Sequence, residues 1–264
     1  MRGRYKTISH KPAGPREENV MTHKTKGIVL RAIKYGETSL VVTLFTEIFG
    51  VQTYLVNGVR TSKKTSQANL FQPAAILDLV VYHNEQRNMQ RIKEVRWDFL
   101  FKEVLTNVIK NSIALYIVEL LQKCLKQPEE NSTLFYFCED ILIQLDHAGP
   151  KVTANFALYF SLQLPEFLGF KINDDYSESH SILDLQEGGF VAAEPLHPHY
   201  INGENAAWTS QLLRVMQPCE LAEFHLNHAT RRKLLLHYHE YYALHVADFG
   251  HMKTLGVLHE VLSP

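Results

Sequence analysis

The sequence predicts an α+β protein, strands first and helices after, on three observations. Residues 26–96 carry short β-branched and aromatic runs punctuated by Gly and Pro. After Trp97 the apolar period lengthens to about 3.6 residues, the period of an amphipathic helix. The charge divides at the same place. Residues 1–97 hold 16 Lys and Arg against 7 Asp and Glu, whereas residues 98–264 hold 11 against 21. A basic half of net +9 is thus joined to an acidic half of net −10, although the whole chain carries only −1.

Five strands are expected in order: "KGIVLRAIKY", "TSLVVTLFT", "VQTYLVNGVR", "AAILDLVVYH" and "MQRIKEVRW". Gly36 and Gly50 break the first three, Pro73 opens the fourth, and "NEQRN" turns the chain into the fifth. Five short strands with a long polar connection after the third, Thr61–Asn69, suit a small closed barrel of the OB-fold type. Helices are expected over 99–126, over 132–148 with Asn131 or Ser132 as its cap, and over 153–170 with a kink at Pro165. Three more follow over 205–216, 220–248 and 252–263. Residues 171–205 are loop-rich, with "EGGFVAAEP" resembling a hairpin. The expected organisation is a disordered extension (1–20), a nucleic-acid-binding barrel (21–97) and a helical domain (98–264) with the small insertion 171–205.

Composition and motifs remove several classes. No apolar run reaches the roughly 18 residues that span a bilayer. Met1–Val20 lacks the apolar stretch of a secretory signal, and the three cysteines are odd in number and far apart, which suits reduced thiols in a cytoplasmic protein. G-x-G-x-x-G, Walker and G-x-S-x-G patterns are absent. His239 and Glu240 are followed by His245, two residues too late for H-E-x-x-H. His225 and His228 stand three apart, and His197 and His199 flank Pro198. No cysteine or second spaced pair completes a tetrahedral set, so neither metal nor cofactor is expected.

The basic half points to a polyanion. In "RTSKKTS", Arg60, Lys63 and Lys64 alternate with hydroxyl residues, the groups that contact phosphates. Arg31, Lys34, Arg87, Arg91 and Lys93 are expected to gather on the same barrel face. Tyr35, Tyr54 and Tyr82 are open as base-stacking groups, while Phe45 sits in an apolar run and reads as core.

The stretch "YGETSLVVTLFTEIFGVQTYLVNGVRTSKK", with "LFQP" after it, resembles the N-terminal signature of the RecO family of bacterial recombination mediators. "YIVELLQKCL", "LPEFLGF" and "EGGF" resemble further family segments. The resemblance implies a non-enzymatic, cytoplasmic, nucleoid-associated protein that binds single- and double-stranded DNA and anneals complementary strands. It also implies that the protein works with RecR to load RecA on DNA coated by single-stranded-DNA-binding protein (SSB). Many relatives carry a cysteine-rich zinc module after "LGF". Residues 171–205 have no cysteine, and only His180, His197 and His199 stand where ligands would be needed. The resemblance further implies a site for the acidic, apolar-ended SSB tail. Tyr116, Leu120, Phe156 and Leu164 are expected to line it, with Lys123 and Lys126 as its cations. Two other readings are an OB-fold RNA-binding or translation factor, and a metal hydrolase using the C-terminal histidines.

Overall fold

In the computed structural model, which describes residues 21–59 and 65–262, five strands close a barrel. They are β1 (Thr22–Tyr35), β2 (Ser39–Thr46), β3 (Gly50–Val56), β4 (Ile76–Tyr82) and β5 (Gln90–Phe99), in the order β1-β2-β3-β5-β4. Every pairing is antiparallel except that of β3 with β5, which closes the barrel and leaves no long free edge. A short helix α1 (Thr65–Ala68) and a 3-10 turn (Asn69–Phe71) stand within the expected polar loop, and Phe71 enters the barrel core. The expected extension over residues 1–20 lies outside the described residues.

β1 pairs with both neighbours and is bulged between Val29 and Arg31. Val29 points into the barrel with Val42, Leu44, Tyr54, Leu77, Leu79 and Val81. Ile28 and Leu30 point the other way, and with Phe45 and Ile76 they join the core of the helical region. The apolar runs of β1 and β2 are therefore continuous for a reason beyond the barrel: both faces of these strands are covered. Polar contacts tie the same seam. Lys26 Nζ lies 2.9 Å from carboxylate oxygens of both Asp98 and Glu139, and Gln122 Nε2 donates to the Leu30 carbonyl at 2.7 Å. Burial works against the Lys26 charge, but the Glu139 and Asp98 carboxylates outweigh it and hold the ammonium above its usual range.

The helical region comprises α2 (Val108–Cys124), α3 (Ser132–His147), α4 (Pro150–Leu168), α5 (Gly203–Leu213), α6 (His228–His245) and α7 (Thr254–Val261). The first expected helix started nine residues too early. β5 runs to Phe99, and the turn after it is held by the Asp146 carboxylate, which accepts from the backbone N–H groups of Lys102, Glu103 and Val104. Burial alone would raise the Asp146 carboxyl, but those three donors outweigh it and hold it low. Asn107 then caps α2 through Ile109 N and Lys110 N. Asn131 caps α3, Pro150 opens α4, and α4 continues three residues past Pro165 to end at Gly169, φ +84°. The expected helix over 220–248 is two pieces: a 3-10 turn (Pro218–Glu223) and α6, separated where Asn227 accepts from Thr230 N. The insertion holds β6 (Ile182–Asp184), β7 (Gly189–Val191) and β8 (Tyr200–Ile201) in one sheet, order β7-β6-β8, so the expected hairpin gains a third strand.

Candidate nucleic-acid interface

The barrel registers assemble an outward face from four strands. Arg31 on β1 lies opposite Thr43 on β2, which lies opposite Thr53 on β3. The next outward row is Ile33, Val41, Leu55 and, across the parallel closure, Arg91 on β5. Tyr35 and Ser39 follow at the β1–β2 turn, where Ser39 Oγ donates to Asn57 Oδ1 at 3.1 Å. Arg31 and Arg91 are exposed, Ile33 is 42% exposed and Tyr35 57%. Neither arginine has an ion pair among the described residues. Cations, hydroxyls and an exposed aromatic side by side are the groups by which OB barrels hold single strands, on this strand 2–3 face and its flanking loops.

Not every expected residue joins that face. Lys34 alternates to the other side of β1, opposite Leu40 at the barrel mouth. Lys93 is exposed in the bulge of β5 opposite Val80 and Val81, beyond the short stretch that pairs with β3. Arg87 stands in the β4–β5 loop. The buried Gln90 side chain holds that loop, donating to the carbonyls of Asn84 and Arg87 and accepting from Asn84 N. Arg60, Lys63 and Lys64 lie outside the described residues. Among the tyrosines, Tyr54 is sealed inside the barrel, its hydroxyl without a partner among the described residues and its ionisation pushed up by burial, so it stacks on no ligand. Tyr82 is half-buried opposite Arg91. Phe45 is core as expected, edge-on to Phe135 at 5.6 Å. Gln90, Thr43 and Thr53 were missed in the sequence. Both threonines stand beside inward apolar residues, Thr43 between Val42 and Leu44 and Thr53 before Tyr54, and that alternation is the signal that could have found them.

The expected peptide-binding residues require correction. Tyr116, Leu120, Phe156 and Leu164 are all fully buried core, because α2 and α4 are covered on several sides by the barrel, α6 and α7. Lys123 is half-buried, and its Nζ donates to the Phe249 carbonyl at 2.7 Å. Lys126 is exposed at the barrel end of α2, away from any such groove. An apolar groove does exist elsewhere. Two adjoining cavities, the larger about 300 Å³, share Ala154, Arg231 and Leu262 and are walled by Ile109, Leu158, Leu235 and Leu258. The Arg231 guanidinium donates to the Leu226 carbonyl, but its buried Nε has no partner among the described residues, and burial lowers its pKa. Arg232 stands on the same wall.

The histidines weighed as metal ligands in the second half of the chain are engaged in structural contacts. His199 Nδ1 is 2.6 Å from Glu240 Oε1, His197 Nε2 is 3.3 Å from Asp184 Oδ2, and His245 Nε2 meets the Leu185 carbonyl at 2.9 Å. The His199 and His245 contacts fasten the small sheet to α6, and the His197 contact ties its own loop back to β6. His239 is half-buried, with its Nε2 3.0 Å from Tyr116 Oη. His225 Nδ1 and His228 Nε2 approach the carbonyls of Glu223 and His259. Among the described residues, no group of three or more His, Cys, Asp or Glu is placed to hold a metal ion.

Comparison with known proteins agrees with this architecture. Family models described as "Recombination protein O N terminal" and "Recombination protein O C terminal" match residues 21–100 and 105–254. The chain belongs to the RecO family. Proteins named DNA repair protein RecO are similar along almost their whole length. The one from Azobacteroides pseudotrichonymphae is 32% identical over 91% of this chain and 99% of its own. That from Bacteroides fragilis is 34% identical with the same coverage, and that from Flavobacterium psychrophilum is 34% identical over 92% of this chain and all of its own. RecO family identity supports a role in DNA repair and recombination. The barrel is the RecO N-terminal part and the helices are its C-terminal part. No helix among the described residues is long and apolar enough to cross a membrane.

Proposed function

We propose that this chain is a non-catalytic recombination mediator of the cytoplasm. It binds single- and double-stranded DNA, anneals complementary strands and, with RecR, helps RecA replace SSB. The observation that carries the reading is the barrel face, where Arg31, Arg91, Thr43, Thr53 and Tyr35 offer phosphate-pairing and stacking groups without a nucleophile–base pair among them. The opposite charges of the two halves support a division of labour, with DNA on 21–97 and protein partners on 98–264, because net −10 repels a phosphate backbone. For the SSB tail, the Arg231 groove replaces the buried residues named from the sequence. Its apolar walls and the Arg231 guanidinium, which has no ion pair among the described residues, match a peptide that ends in apolar residues and a carboxylate.

The test is annealing of complementary strands, bare and SSB-coated, by the wild type and R231E. R231E is expected to anneal bare strands normally, to fail on coated strands and to lose binding of a labelled SSB-tail peptide. Normal annealing of coated strands by R231E would remove the groove from the account. Failure of the wild type to anneal either substrate would remove the mediator reading.

A further inference from the structure

The connection between α2 and α3 lies across the barrel. Gly50, the first residue of β3, has φ +61°, and a Cβ there would meet the Glu129 carbonyl oxygen at 2.1 Å, so backbone rests on backbone at this point. Beside this seat opens a cleft of about 560 Å³, within the rough 300–1,000 Å³ of small-ligand sites. The barrel contributes Phe49, Gln52 and Thr53, the β4–β5 loop contributes Arg87 and Asn88, and the connection contributes Lys126. Thr53 belongs to both features, ending the Arg31–Thr43–Thr53 row and walling the cleft, so face and cleft are one continuous surface. Lys126 is exposed and has no ion pair among the described residues. Glu85 and Glu130 also line the cleft. Its two cations are therefore matched by two carboxylates, which oppose the twin backbones of a duplex more than the single backbone of one strand.

We infer that the cleft receives single-stranded DNA as it leaves the barrel face, with Lys126 and Arg87 on its phosphates and the Gln52 and Asn88 amides within reach of bases. One strand then runs from the Tyr35 end of the face across the seam onto the helical part. The inference rests on the reading of the barrel face as the DNA interface. A lysine in the acidic half thereby serves nucleic acid and not peptide.

The experiment is anisotropy of labelled oligothymidylates, from about 4 to about 16 nucleotides, the range of OB site sizes. Full-length wild type, K126A and an R31A/R91A double variant are compared at several salt concentrations. K126A is expected to bind the shortest strands normally and the longest more weakly, its salt slope falling by about 0.7 on the long strands alone. A 4-thiothymidine at the end of a long strand is expected to cross-link to the 126–130 segment. If R31A/R91A weakens binding while K126A changes nothing at any length, or weakens all lengths equally, the cleft is not on the path although the face is. If R31A/R91A itself changes nothing, the face reading falls and the cleft with it.

Discussion

At the residue scale, His239 makes the sharpest prediction. Its ring stacks on Tyr116, whose hydroxyl approaches Nε2 and also Ser161 Oγ. Burial, helped by His259 and His251 and opposed by Glu119, brings its pKa from 6.5 to about 4. The unfolded chain therefore takes up a proton that the folded chain refuses. The stability is complete above pH 6.5 and is lost as pH falls from there to about 4, by up to about 3 kcal/mol. Urea titrations at pH 7.5 and 4.5 are expected to show a gap between those two values that shrinks by that amount in H239Q; an unchanged gap would mean the imidazole is solvated. Lys26 gives a second prediction. In K26A the Glu139 carboxylate keeps its burial and loses its cation. The cost expected from denaturation curves is about 1–2 kcal/mol, discounted because the ammonium is one-third exposed.

At the element scale, Gly50 and Gly58 form a matched pair. Both have positive φ, but a methyl at Gly50 runs into the Glu129 backbone, while one at Gly58 meets nothing within 4 Å among the described residues. G58A is expected to cost about 1–2 kcal/mol for conformation alone. G50A should cost about 2–4 kcal/mol, because overpacking is added to strain. Equal melting temperatures for the two variants would show that the connection does not press on the barrel. Punctuation of this kind was readable. Gly36, Gly50, Pro73 and "NEQRN" bounded real strands, Asn131 was named as a cap, and the charge of the first half marked the barrel. The start of α2 was not readable, because Phe101, Val104 and Leu105 continue a helical spacing while serving a turn tied to Asp146, 42 to 44 residues on. The peptide site was misread for a related reason. Periodicity shows that Tyr116, Leu120, Phe156 and Leu164 share apolar faces; it does not show how many neighbours cover those faces. On the barrel the ambiguity runs the other way, since Val41, Thr43 and Leu55 look like core residues in sequence and lie on an open face.

At the scale of the whole molecule, two halves of opposite charge share one core across the seam of Ile28, Leu30 and Phe45, and the small sheet of 182–201 is fastened to α6 by His199 and His245, while His197 braces the sheet from within. Because Glu240, Asp184 and the Leu185 carbonyl already engage His199, His197 and His245, purified protein is expected to carry less than stoichiometric zinc and to keep its melting temperature in chelator. One zinc per chain by elemental analysis, lost together with the fold, would contradict this. The central claim, that the barrel presents a DNA-binding face built on Arg31 and Arg91, is tested most directly by the salt dependence of single-strand binding. For R31A/R91A in the full-length chain, the slope of log K against log salt is expected to fall by about 1.4, two phosphate contacts at about 0.7 each, with the fold intact by circular dichroism. A folded double variant with wild-type affinity and wild-type slope would contradict the account.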